Sequence, residues 1–206
     1  QNFVRNLGFG PKGYSQLNSG PNFNTIVVTG GSIDISKQHS KIQRLVGSNV
    51  PILKVGENRS SLKSLRQISN DFIGQKINRL ILIGGGSVIG FGKRIYINLI
   101  EANPENHYEL IVLPSRVGSG AESSMTSIVN SSAEKSIEVD SRFMPDTVIY
   151  DLDLFNTLAP RDLYLPSLDA ISHLIESTNS FLSNSYVEFI SNASLIEQFE
   201  YLPPPV

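Results

Sequence analysis

The sequence predicts an α/β fold, a doubly wound parallel sheet followed by the beginning of an all-helical domain. Three observations carry this expectation. The apolar run Arg79-Leu80-Ile81-Leu82-Ile83 empties into Gly84-Gly85-Gly86-Ser87 and then into a helical pattern. Short apolar or β-branched runs alternate with helical stretches between residues 24 and 150. Beyond about residue 160 the strands stop and only helical patterns remain. The expected division is an α/β domain over 1–158 and the first helices of a second domain over 159–206, apparently truncated.

Each element follows from its own residues. Asn24-Thr25-Ile26-Val27-Val28-Thr29 is β-branched and closed by Gly30-Gly31-Ser32, a strand and its turn. A polar, helix-like stretch covers about 33–46, and 51–55 reads as a second strand. Leu62, Leu65, Ile68, Phe72 and Ile73 recur at helical spacing, which predicts a helix over about 60–75. Strand 79–83 leads into the glycines and a helix over 88–101. Leu110-Ile111-Val112-Leu113 is another buried strand, ended by Pro114, and 114–122 is a Ser/Gly loop. Residues 125–129 and 135–139 read as a pair of short strands, and 147–150 as the last strand of the sheet. Pro160 and Pro166 punctuate the chain before helices over 167–180 and 186–201.

Composition narrows the function. Forty per cent hydrophobic residues is enough for a real core. A formal net charge of −2 provides no basic field, so no nucleic-acid partner is expected. No segment approaches the roughly 18 apolar residues of a membrane span, and no signal-peptide pattern opens the chain. Without cysteine, disulfides and thiolate metal sites are excluded. Sequons at Asn58, Asn130 and Asn192 carry little weight beside these features, and a cytoplasmic protein is the expectation. The start at Gln1 and the end at Pro203-Pro204-Pro205-Val206 suggest a piece of a longer product.

The glycine run is the strongest functional signal. Without Cβ atoms, main-chain N–H groups can close on a phosphate, and the following helix offers its positive end. The competing reading is a flexible turn. A second pair is Asp169 and His173, four apart in a helical pattern and so on one face about a turn from each other. Together they can hold one cation, with mixed O and N donors suited to Fe(II) or Zn(II), or they can form an Asp–His pair on a solvated face. His39 and His107 read as surface residues, and Lys93 as either phosphate-proximal or on the helix surface.

Four stretches resemble one family in its own motif order. Residues 84–93 resemble the GGGSxxDxxK cradle of the iron-containing, or group III, alcohol dehydrogenases. Residues 113–122 are similar to that family's P-T-T-x-G-T-G-S-E loop. Met144 to Asp151 is similar to its P-x-x-x-I-x-D strand, and Leu168 to Glu176 to its D-A-x-x-H-x-x-E helix. Gly8-Phe9-Gly10 and the first strand fit more loosely.

The resemblance implies a Rossmann-like nucleotide domain, a helical metal-binding domain and NAD(P) in the cleft between them. It places Gly84, Gly85, Gly86 and Ser87 at the pyrophosphate, Ser115 and Ser119 in the positions of the cofactor-lining threonines, and Asp169 and His173 as the first two ligands of Fe(II) or Zn(II). It implies hydride transfer between an alcohol or aldehyde and nicotinamide, the metal acting as Lewis acid on the substrate oxygen. At Gly30, Gly31 and Ser32 the first strand ends with no carboxylate before Asp34, which favours NADP over NAD. Gly90 stands where the motif carries aspartate, and Arg116 where the loop carries its second threonine. Arg116 is suited to an anionic substrate or to pairing with Glu122. The family's remaining metal histidines would lie beyond Val206. No catalytic residue is assigned within the chain, and a homodimer is compatible with this reading. A non-catalytic nucleotide-binding relative, or a glycerol-phosphate dehydrogenase or dehydroquinate-synthase-like enzyme of the same architecture, is the alternative.

Overall fold

The computed structural model describes residues 6–9, 23–31, 50–56, 62–116, 118–130, 135–155 and 158–201. Its elements, in chain order, begin with β1 (Asn6–Phe9), β2 (Thr25–Gly30), β3 (Ile52–Val55), α1 (Leu62–Gly74), β4 (Arg79–Gly84) and α2 (Gly86–Ala102). β5 (Glu109–Pro114), β6 (Thr126–Asn130), β7 (Lys135–Val139) and β8 (Thr147–Tyr150) follow. The helices α3 (Leu152–Phe155), α4 (Pro160–Asn179) and α5 (Ser185–Tyr201) complete the described chain. The helix expected over 33–46, together with Ser32 and His39, lies outside the described residues.

Parallel pairing orders six strands β1-β8-β5-β4-β2-β3, the doubly wound class expected from the sequence. β2 and β4 are buried at every residue, as strands covered on both faces must be. Ile26 and Val28 of β2, Leu80 and Leu82 of β4, and Leu110 and Val112 of β5 form one side of the core. Leu65 and Phe72 of α1 and Ile89, Phe91, Ile95 and Leu99 of α2 complete it. Register places Ile26 beside Leu80, and Leu80 beside Leu110, so these side chains stack in rows across the sheet.

Strand order also fixes where a ligand can enter. From β2 the chain proceeds to β3 on one side, whereas from β4 it proceeds to β5 on the other. Connections leaving two neighbouring strands in opposite directions open a crevice beyond their carboxyl ends. Those ends are Gly30 and Gly84.

β6 and β7 form an antiparallel hairpin that packs on α2. A Cβ at Gly90 would lie 2.5 Å from the Ile128 carbonyl oxygen, so α2 and β6 meet backbone to backbone. Ser127 Oγ donates to the Gly90 carbonyl at 2.7 Å, and Arg94 of α2 reaches Ser127, Ser136 and Glu138. The close approach accounts physically for glycine at position 90, where the resembling motif has aspartate.

Two features differ from the sequence expectation. β1 forms a parallel edge beside β8, with Phe9 stacked on Tyr150 at 5.6 Å, although Asn-Leu-Gly-Phe is too short to show a period. The proline-punctuated stretch before 167 is already helical. Pro160 occupies the first turn, where its missing N–H costs nothing, and Pro166 lies inside α4. Pro166 forfeits one bond to the Asp162 carbonyl while the flanking turns continue.

Contacts divide the chain into two compact units: Gln1–Ser115 with Ala121–Asp153, and Arg116–Gly120 with Leu154–Val206. In the second, Ser177 and Ser191 hydroxyls join α4 to α5 at 2.7 Å, and Asn184 Oδ1 accepts from the Tyr186 and Val187 N–H groups to cap α5. No helix among the described residues is long and apolar enough to cross a membrane.

The Gly90 packing is directly testable. Gly90→Ala should lower stability by about 1–3 kcal/mol in chemical denaturation, because β6 must retreat. Gly74→Ala, whose Cβ would meet nothing within 4 Å, should stay within about 1 kcal/mol of wild type.

Candidate functional site

At the carboxyl end of β4 the chain turns directly into α2, and glycine is used there for two different reasons. A Cβ at Gly84 would lie 2.6 Å from Val88 Cβ, so the turn itself requires a bare residue. Gly85 is the N-cap of α2, with an extended backbone that any residue can adopt. Its missing side chain has another consequence: no side-chain hydrogen bond caps the helix. The first-turn N–H groups of Gly86 and Ser87 have no intrahelical acceptor, and the first turn carries no acidic residue. Gly85 and Gly86 are half-buried and Ser87 is exposed, so these donors border solvent. Bare donors at the positive end of a 17-residue helix, beside a sheet switch point, fit a phosphate group.

The neighbouring strand end is equally bare. Gly30 is buried and Gly31 exposed, and among the described residues a Cβ on Gly31 would meet nothing within 4 Å. Ser115 adjoins the cradle, its N–H donating to the Gly84 carbonyl at 3.0 Å.

Lys93 is not on the helix surface. It is fully buried in α2, and Nζ donates to the Ala121 and Ser124 carbonyls at 2.6 Å each. It therefore ties the turn over Ala121–Ser123 to the helix that begins at the cradle. Burial pulls its ammonium down to about 8, an effect that the nearby Glu122 carboxylate partly opposes. Glu122, itself buried, accepts a 3.2 Å bond from the Tyr150 hydroxyl. Burial, and then the Glu122 charge and hydrogen bond, push Tyr150 up to about 12. The sequence held a clue to this: a lysine in a helix apolar on every side is a buried lysine.

In the second unit, Gly118 lies against α4. Gly118 has φ +107, and a Cβ there would fall 2.2 Å from the Pro166 carbonyl oxygen, so this position is closed to side chains on two counts. Arg116 approaches Asp162 at 3.8 Å, and both are about half exposed. Ser119 is exposed on the same segment.

Asp169 and His173 stand as the sequence expected, one turn apart on α4, with Oδ1 and Nε2 at 3.8 Å and both side chains half exposed. Two donors about 2.1 Å from a tetrahedral ion would stand about 3.4 Å apart, so small rotamer changes suffice to share one. The pair fits a metal as half of a coordination sphere. Among the described residues, no group of three or more His, Cys, Asp or Glu side chains could hold an ion.

Residues 9–152, well over half of the chain, match the family model of iron-containing alcohol dehydrogenases. Among solved structures, an iron-containing alcohol dehydrogenase from Thermococcus thioreducens superposes with a TM-score of 0.81 at 19% identity, covering 98% of this chain and 59% of that one. The NADH-dependent butanol dehydrogenase A of Thermotoga maritima gives 0.77 at 16% identity, with 97% and 56% coverage. Sulfoacetaldehyde reductase from Bifidobacterium kashiwanohense, solved with NAD+, gives 0.79 at 19% identity, with 98% and 58% coverage. The chain thus spans less than two thirds of the length of these relatives, and likeness at such identities speaks for the fold alone. No curated protein matches.

Lys93 makes a testable pH signature. Its folded value of about 8 lies below the ordinary 10.5, so between these limits the unfolded chain holds a proton that the folded one has shed. Stability should therefore rise with pH across this window, by up to about 3 kcal/mol from this group. Tyr150 acts oppositely from about 10 to 12, where only the unfolded phenol ionises. Urea denaturation of Lys93→Met and wild type from pH 7 to 10.5 should show the variant lacking that rise.

Proposed function

The chain belongs to the iron-containing alcohol dehydrogenase family, and on that premise we propose that it is the dinucleotide-binding part, with the first metal-bearing helix, of an oxidoreductase interconverting alcohols and aldehydes. The observation that carries this reading is the uncapped start of α2 beside the switch point between β2 and β4. Gly85, Gly86 and Ser87 present main-chain donors to the diphosphate, and Ser115 borders them. Gly30 and Gly31 receive the adenosine end. The sequence at that strand end, with no carboxylate before Asp34, supports NADP over NAD.

Asp169 and His173 supply one oxygen and one nitrogen donor to Fe(II) or Zn(II). Such an ion would supply a Lewis acid for a substrate oxygen, and a nicotinamide dinucleotide would supply the hydride-transfer chemistry. The pair needs at least one further donor to complete a sphere. Lys93 supports the same reading from behind, holding the 121–124 backbone in place without touching a ligand.

A non-catalytic nucleotide-binding role is the second reading, favoured by the two-ligand metal pair. Metal content separates the two. Stoichiometric Fe(II) or Zn(II), lost in Asp169→Ala, supports the dehydrogenase; dinucleotide binding with no metal uptake supports the alternative.

Gly86→Asp tests the cradle without confusing folding with binding. A carboxylate in the first turn should leave the melting temperature equal or raise it. The same charge should repel the diphosphate and weaken NADPH by about tenfold or more in calorimetry, about 1.4 kcal/mol. Unchanged NADPH affinity would place the diphosphate elsewhere.

A further inference from the structure

We infer that Lys93 is a buried counter-charge for the anion at the start of α2, so that binding a dinucleotide there draws a proton from solvent onto this side chain. The inference rests on the dinucleotide reading above and deepens it by naming how pH regulates that same site. It involves only the first compact unit, which holds the cradle, Lys93 and the 121–124 turn alike.

Position carries the argument. Lys93 follows Gly86 by seven residues on the same helix, about 10 Å along the axis. Its Cα–Cβ bond tilts toward the cradle end, as in any α-helix. The ammonium is fully buried and donates to the carbonyls of Ala121 and Ser124. Those acceptors satisfy its hydrogen bonds but carry no net charge to cancel its own. Away from water, such a charge acts through an effective dielectric of about 20 rather than about 80, so it reaches the first turn of its helix.

The surroundings make its proton decisive. Glu122, in the turn over Ala121–Ser123, is the carboxylate whose charge acts on Lys93. Tyr150 of β8 bonds to Glu122 and, pushed up to about 12, stays neutral. Arg94 is turned to the β6–β7 hairpin, where Glu138 meets it. Asp140 and Glu101 pair with Arg142 at the far end of α2. The sheet and α1 face α2 with apolar side chains, among them Leu82, Val112 and Phe72. With Lys93 protonated, the Lys93–Glu122 pair is neutral. Once that proton leaves, Glu122 stands alone and repels an anion at the cradle.

Burial already holds Lys93 down to about 8, against the opposing pull of Glu122. A bound diphosphate favours the charged form and raises that value. The sign follows by linkage. Affinity is highest below about pH 8, where the free protein already carries the proton, and declines above it, where binding must recruit one. The ligand itself is silent in this range, since a phosphate monoester completes its ionisation at about pH 6.

The test is calorimetry of NADPH binding to the full chain in two buffers of different ionisation enthalpy. At about pH 8.5 the two should differ by an uptake of about half a proton or more per NADPH, and at about pH 6.5 by almost none. Affinity should fall about fivefold or more from about pH 7 to about pH 9.5. Lys93→Met should show the weaker affinity throughout and no uptake. Lys93→Arg, whose guanidinium keeps its proton, should hold the tighter affinity across the range. Glu122→Gln, which keeps an oxygen for Tyr150, should move the uptake to lower pH. Should Lys93→Met fail to fold, wild type in the two buffers and Lys93→Arg still decide. NADPH binding without uptake at about pH 8.5, or with uptake that persists in Lys93→Met, overturns the Lys93 assignment alone. No NADPH binding by wild type even at neutral pH overturns the dinucleotide reading, and the Lys93 assignment with it.

Discussion

Two neighbouring strands, β2 and β4, send their connections in opposite directions, and the candidate cofactor site depends on that reversal. Had both connections left on one side, the crossing segment would cover the strand ends. At the buried end of β4, Gly84, the helix begins within two residues of the strand, and the half-buried Gly85 and Gly86 follow. A side chain at Gly84 would strike Val88, and a capping side chain at Gly85 would occupy the donors. Absence of side chains is thus a structural requirement at one position and a functional opportunity at the next.

The same helix organises what lies behind the cradle. α2 is apolar all round, yet it carries Lys93 and Arg94 inward. Each cation is matched to specific acceptors: Lys93 to the 121–124 backbone, Arg94 to the β6–β7 hairpin. Buried charges so placed contribute little net stability, because desolvation offsets most of the attraction, but they specify one arrangement of the segments they bind. Gly90 completes the docking by letting β6 touch the helix backbone, which leaves no room for the aspartate of the resembling motif.

The sheet was legible because its strands are long apolar runs ended by glycine or proline: 25–30, 79–84 and 109–114 each have a single plausible reading. β1 was hidden by its brevity; its pairing comes from β8, far away in sequence. Pro166 misled because a proline near a helix start deletes one bond, which tertiary packing can absorb. At the site, the glycines and the Asp169–His173 spacing were visible as patterns. The role of Lys93 was not, since only the fold brings residues 121 and 124 to its side chain. The Arg116–Asp162 approach was equally out of reach, because it depends on how Gly118 rests on Pro166.

Backbone amide NMR during an NADPH titration tests the central claim most directly, because the donors in question are main-chain N–H groups. The account predicts the largest shifts at Gly85, Gly86 and Ser87, accompanied by changes at Gly30 and Gly31. Shifts that leave these five amides unmoved while others respond would contradict it.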